Sequence, residues 1–162
     1  VQTCALPILL QLLTAALMGL ALSAAQTSTT GQFLALGENE KAAGVLEANG
    51  VERSGDKVRA TVTVIFAKST DASGLRITSL VVELDCAKQT FSVKGSAAVS
   101  DDMKVSDAAD LDIPPAPAQN GTPFGRAYAN LCKGETLPVA GTDLGQIARG
   151  YWSRQGGSPR PL

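Results

Sequence analysis

The chain has 162 residues, with 14 basic and 15 acidic side chains, no histidine and a formal net charge of −1. That near-balance excludes the basic excess that nucleic acid or an anionic membrane surface would call for in a partner. Aromatic residues make up 4%, so a core must come from Val, Leu, Ile and Ala, with few of the large anchors that dominate tight interfaces.

Residues 1–37 carry no charge, the first being Glu38. Residues 5–22 are apolar apart from Gln11 and Thr14, and Ser23-Ala24-Ala25-Gln26 follows, with small residues at −3 and −1 for cleavage after Ala25. An apolar run ending in a small-x-small site has the form of a secretory signal peptide, here residues 1–25. The basic head that normally precedes such a run is absent and the first residue is Val1, which points to a truncated or misassigned start. The alternative is a membrane anchor formed by uncleaved residues 5–22. The run is at the short end of the roughly 20 residues a span requires, and residues 26–32 supply no charge to stop transfer. Cleavage is therefore the expectation, with no stable membrane span left afterwards. Cys4 precedes the run, the wrong side for lipid attachment. The expected location is the periplasm, the cell surface or the medium.

Residues 26–162 are long enough for one domain with its own core, divided here into a β-rich domain at 26–134 and an extension at 135–162. Residues 33–36 and 43–47 are short strand candidates. Asn49-Gly50 follows as the centre of a tight hairpin turn, and Ser54-Gly55-Asp56 marks the next reversal. Residues 58–66 give the best strand signal: Val58, Ala60, Val62, Val64 and Phe66 share one face against Arg59, Thr61 and Thr63, with Ile65 the exception. Residues 75–86 alternate too, but Leu75 and Ile77 have one parity while Leu80, Val82, Leu84 and Cys86 have the other. A bulge near Ser79 would produce that switch. Residues 90–99 give a weaker third strand.

Residues 101–122, rich in Asp and holding Pro114-Pro115-Ala116-Pro117, read as a loop. Thr122-Pro123 then supplies a helix cap and first residue, Phe124, Tyr128 and Leu131 recur on one helical face, and Gly134 stops the helix. Residues 142–152 form a second candidate helix, with Leu144, Ile147, Ala148 and Tyr151 on one face, weakened by Gly145 and Gly150. Tyr151 and Trp152, flanked by Arg149 and Arg154, fit packing onto the sheet better than an exposed patch. The tail, residues 155–162, is expected to be disordered.

With Cys4 removed, two cysteines remain. An even count in an oxidising compartment favours a Cys86–Cys132 disulfide, and the long loop it closes makes its stabilisation roughly 4 kcal/mol. A redox or metal pair is the alternative, but there is no CxxC spacing and no histidine to complete a zinc site. The fold expected is α+β, mainly an antiparallel β-sheet covered by a short C-terminal helix, with one disulfide.

Chemistry has little to build on. Without histidine, neither the commonest general base nor a Ser-His or Cys-His pair exists. Glu83 and Asp85, two apart on one strand face, could act as paired carboxylates, but acidic residues on an outer face are ordinarily just solvated. Asp101, Asp102, Asp107, Asp110 and Asp112 match no calcium-loop spacing. No catalytic, cofactor-binding or metal-binding residue is assigned, no cofactor is implied, and the ligand-binding residues stay unassigned.

The mature chain resembles the bacterial surface-adhesin protein E family. The likeness rests on Phe33 in a leading strand, the region Val51-Glu52-Arg53-Ser54-Gly55 and a long strand from Lys57. It continues through Glu83-Leu84-Asp85-Cys86-Ala87-Lys88-Gln89-Thr90-Phe91, then Gly121-Thr122 leading into a helix ending Leu131-Cys132. The resemblance implies an antiparallel sheet with a C-terminal helix tied on by Cys86–Cys132. It departs in having Phe33 where relatives carry Trp, and only the two cysteines carry over residue by residue. The function expected is that of an exported, non-catalytic, adhesin-like binding protein for an unknown protein or envelope ligand. The alternative is a structural or accessory envelope protein acting through protein–protein contacts, for instance as a homodimer.

Overall fold

The computed structural model describes residues 30–69 and 74–156. The expected signal peptide, Cys4 and residues 157–162 of the expected tail lie outside the described residues. The strands are β1 (Thr30–Glu38), β2 (Ala42–Glu47), β3 (Glu52–Ser54), β4 (Lys57–Phe66), β5 (Ile77–Asp85), β6 (Thr90–Val99), β7 (Val105–Asp110), β8 (Ala116–Pro117) and β9 (Val139–Asp143). Two helices, α1 (Pro123–Lys133) and α2 (Leu144–Arg154), complete the described chain. The strands form one antiparallel sheet in the order β7-β6-β5-β4-β2-β1-β9, with β3 added to β4 and β8 to β6.

Several expectations need correction. Asn49-Gly50 does lie in a turn, but β2 and β3 both pair with β4, at Leu46↔Val62 and Glu52↔Arg59. The turn therefore interrupts one line of pairing and reverses nothing, and neither residue takes the positive φ a tight hairpin needs. The reversal falls at Gly55, φ 58°. Residues 101–122 are more than a loop, because β7 and β8 both pair with β6. An edge strand with solvent on its outer side tolerates the Asp and Pro residues that argued against it. β9 had no sequence signal, and it takes residues 142 and 143 from the expected helix.

The parity switch in β5 has a different cause from the one expected. The β4–β5 register runs from Lys57↔Asp85 to Ile65↔Ile77 without a slip. What changes is which face is buried. One cluster joins Leu46, Val58, Ala60, Val62, Val82, Leu84 and Val93 to Ala127, Tyr128 and Leu131 of α1. A second joins Phe33, Ala43, Val45, Ile65, Ile77 and Val99 to Leu144, Ala148, Tyr151 and Trp152 of α2. Val62 and Ile65 are separated by an odd number of positions on one strand, so the two clusters occupy opposite faces of the sheet. Ile65 is therefore no exception: it faces the second core. In β6 the register with β5 shifts, Val81↔Gly95 being followed by Val82↔Val93. The extra residue, Lys94, is the bulge that sends Val93 and Val99 to opposite faces.

Helix α1 starts as its sequence dictates. Thr122 Oγ1 accepts from the Gly125 N–H at 3.0 Å, Pro123 occupies the first turn, and Gly134 closes the helix at φ 74°. Gly134 N–H donates to the Asn130 carbonyl at 3.1 Å. The Cys86–Cys132 disulfide is present, with 5.3 Å between Cα atoms and a separation of 46 along the chain. Two further ties lie beside it: Tyr128 OH donates to the Cys86 carbonyl at 3.0 Å, and Arg53 Nη2 to the Leu131 carbonyl at 2.6 Å.

Helix α2 is capped by Asp143, whose carboxylate accepts from the Gln146 N–H at 2.7 Å. Tyr151 and Trp152 are buried, as the packing preference expected. Their polar atoms are satisfied, Tyr151 OH donating to the Asn39 carbonyl and Trp152 Nε1 to the Phe66 carbonyl, both at 2.9 Å. The Arg76 guanidinium lies 3.6 Å over the Trp152 ring and pairs with Asp101. Trp152→Phe is expected to cost about 1–2 kcal/mol, since it leaves the Phe66 carbonyl without its indole donor. Urea denaturation followed by far-UV circular dichroism would check this, and an unchanged midpoint would contradict it.

Candidate functional site

The acidic residues of β5 sit in an ion-paired cluster. Lys57 on the neighbouring strand places Nζ 3.3 Å from Glu83 and 3.1 Å from Asp85, and Lys88 lies 3.8 Å from Asp85. The Asp85 carboxylate also accepts the Lys88 backbone N–H at 3.0 Å. That hydrogen bond first, then Lys57, holds Asp85 below the ordinary carboxylate range, while Asp85 and Glu83 raise Lys57. Both carboxylates are thus engaged by the one Lys57 ammonium. Asp85 itself is buried, contrary to the expected solvated face.

A carboxylate with a lowered folded-state pKa contributes stability above its unfolded value of about 3.9, and that contribution is lost as pH falls through the folded value. Asp85→Asn is accordingly expected to destabilise the protein at pH 7, and the deficit relative to the parent should be smaller at pH 3. Denaturation midpoints at the two pH values would decide it.

Three acidic residues of the segment from Asp101 onward each pair with a different cation. Asp101 meets Arg76, Asp102 lies 2.7 Å from Lys104, and Asp112 lies 2.7 Å from Lys94. Among the described residues no group of three or more Cys, Asp or Glu is placed to hold a metal ion.

A concave feature lies elsewhere, between the β1–β2 hairpin, β9 and α2. It is a cleft of about 440 Å³. Ala35, Ala43 and Gly44 contribute from β1 and β2, Gly141 from β9, and Gly150 and Tyr151 from α2. At its rim Arg154 grips Glu38 through two hydrogen bonds, Nη2–Oε2 at 2.6 Å and Nε–Oε1 at 3.2 Å. Burial first, and then the Glu38 charge, hold the Tyr151 hydroxyl above the usual phenol range, so it stays protonated and donates. The cleft therefore offers an apolar interior and a charged rim, suited to holding a compact molecule.

The sequence drew notice to Tyr151 and Arg154, as a patch set aside in favour of packing, but gave no expectation of a cleft. The one available signal was Gly150 inside a helical repeat, since a glycine kept in a helix often marks a close approach or an open space. Neither cysteine lines the cleft. The disulfide belongs to the α1 side of the sheet. Among the described residues no helix is long and apolar enough to cross a membrane. Comparison of the chain with protein families, with curated proteins and with solved structures returned no match.

Proposed function

We propose that this chain is an exported, non-catalytic binding protein of the cell envelope, adhesin-like in plan, holding its ligand at the cleft between β1, β2, β9 and α2. In this reading residues 1–25 are a cleaved signal peptide and α1 is a cover that the disulfide clamps onto one face of the sheet. The ligand is an envelope component or a protein that inserts a compact apolar group beneath the Glu38–Arg154 pair. The observation that carries the reading is the Cys86–Cys132 bridge, because such bonds persist in oxidising compartments and are rare in reducing ones. The ion-paired β5 carboxylates support the non-catalytic part.

The test uses the full chain, produced in a bacterium with an envelope and fractionated. Protection of both cysteines from thiol labelling in the envelope fraction is expected, and two reactive thiols would sink the export reading. Capture from envelope extract is then compared between the parent and Gly150→Leu. A Cβ at position 150 meets only the far end of Arg154, at 3.6 Å, so the helix accommodates the substitution while the added side chain fills the cleft. Loss of the captured species is the expected result, and undiminished capture would remove the cleft from the proposal. The second reading, an accessory envelope protein acting through protein contacts, is favoured by the open sheet edge at β9.

A further inference from the structure

We propose that Asn120 is a self-modification site: in water it converts to isoaspartate, which lengthens the backbone of the turn that holds the cap of α1. The proposal does not rest on the ligand reading. The chain has four asparagines, and two of them, Asn49 and Asn120, are followed by glycine. That dipeptide is the chemically labile one, because glycine has no side chain to shield its backbone nitrogen from the neighbouring amide. The structure separates the four. Asn39 has its side-chain oxygen held by the Lys41 and Ala42 N–H groups, at 2.8 and 3.0 Å. Asn130 donates to the Glu135 carbonyl at 2.7 Å. Asn49 lies against β1, its Nδ2 3.0 Å from where a Cβ on Gly31 would stand, and the Ala48 N–H before it donates to the Gln32 carbonyl at 2.8 Å. Asn120 has none of these restraints. It is exposed, and among the described residues no hydrogen bond holds its side chain.

The reacting atoms are open. The Gln119 carbonyl accepts the Thr122 N–H at 3.3 Å, which sets Asn120 and Gly121 at the centre of a turn. Gly121 has φ 80°, its N–H donates to no backbone carbonyl among the described residues, and a Cβ there would meet nothing within 4 Å. Once hydroxide removes that proton, the Gly121 nitrogen bonds to the Asn120 side-chain carbonyl carbon. The Cγ–Nδ2 bond breaks, and the amide nitrogen takes up a proton and leaves as ammonia. Water then opens the cyclic imide at either carbonyl. One opening gives aspartate; the other routes the main chain through the former side chain and gives isoaspartate, one methylene longer. Both products place a carboxylate beside the first turn of α1, where the helix dipole favours negative charge. The methylene is what does harm. The Gln119 oxygen and the Asn120 nitrogen already leave no room for a Cβ on Gly125, and the same oxygen accepts from Thr122 Oγ1 at 2.7 Å. Lengthening the chain between them displaces Thr122, so isoaspartate loosens α1 and aspartate does not.

The experiment incubates the folded full chain at pH 7 and at pH 9, follows each asparagine by peptide mass mapping, and takes a urea midpoint at each time. Asn120 is expected to be lost about tenfold faster than Asn49. The loss should be faster at pH 9 than at pH 7, with isoaspartate among the products and a midpoint that falls as it accumulates. Asn120→Gln should keep its midpoint through the same incubation, and Asn120→Asp should match or exceed the fresh parent. Asn120 outlasting Asn49, or equal loss at the two pH values, would overturn the proposal. So would an Asn120→Gln protein whose midpoint falls like the parent's, or an Asn120→Asp protein as unstable as the aged one.

Discussion

Gly125→Ala is expected to destabilise the protein by about 3 kcal/mol, at the upper end of the usual cost of overpacking. Helix propensity alone predicts the opposite sign, since Ala is favoured over Gly in a helix interior by about 1 kcal/mol. Packing decides. A Cβ built at position 125 would lie 1.9 Å from the Gln119 carbonyl oxygen, 2.6 Å from its carbon and 3.1 Å from the Asn120 nitrogen. These are backbone atoms, which cannot rotate away as a side chain would. The same Gln119 oxygen accepts from Thr122 Oγ1 at 2.7 Å and from the Thr122 N–H at 3.3 Å. Displacing it disturbs the residue that caps α1, so the loss of cap hydrogen bonds adds to the clash. Urea denaturation of the two proteins side by side is the measurement. A variant as stable as the parent would mean that the 119–122 turn yields at little cost.

Removing the disulfide, by Cys86→Ala/Cys132→Ala or by reduction, is expected to cost about 4 kcal/mol through release of the unfolded chain. The loss should not abolish the fold at room temperature. Tyr128 and Arg53 still tie the end of α1 to the sheet through the carbonyls of Cys86 and Leu131. The second core, on the opposite face, contains neither cysteine. Trp152, the only tryptophan, sits in that second core and reports on it. Its emission before denaturation should therefore be the same with and without reductant, while the denaturation midpoint falls. A shift of less than about 1 kcal/mol would show that the loop between the cysteines is already restrained in the unfolded chain.

What could be read from the sequence was local chemistry with a strong period. Alternation over residues 58–66 and 90–99 gave β4 and β6, and Thr122-Pro123 with Gly134 bounded α1 to the residue. The cysteine count gave the bridge. What escaped was anything decided by the far side of the sheet. Ile65 looked out of phase and Ser79 looked like a bulge because one buried face was assumed, whereas α1 and α2 pack on opposite faces. The alternation set Thr63 on the face away from the core, and Ser79 marked only the switch of parity. They are buried and hydrogen-bonded to each other at 2.8 Å, a satisfied polar pair on the α2 side. β7 and β9 escaped for another reason: edge strands are held by their neighbours, and their own residues carry little strand signal. The cleft escaped with them, because its walls come from the hairpin at 30–47 and the chain beyond 139, which no local pattern connects.

Placing a helix on each face has a consequence for the order in which the protein can be made. Seven strands precede position 111, and both helices follow position 122. A chain that emerges N-terminus first therefore carries its main sheet strands complete, with apolar residues on both surfaces, before either helix exists to meet them. Productive collapse waits for roughly the last quarter of the chain, which also delivers β9 to the side of β1. Until then the nascent strands are exposed to mispairing, the hazard that holding factors act on. A stop codon or a cut near residue 120 would leave a sheet without its helices on either side. Such a product should aggregate outright instead of folding as a smaller domain.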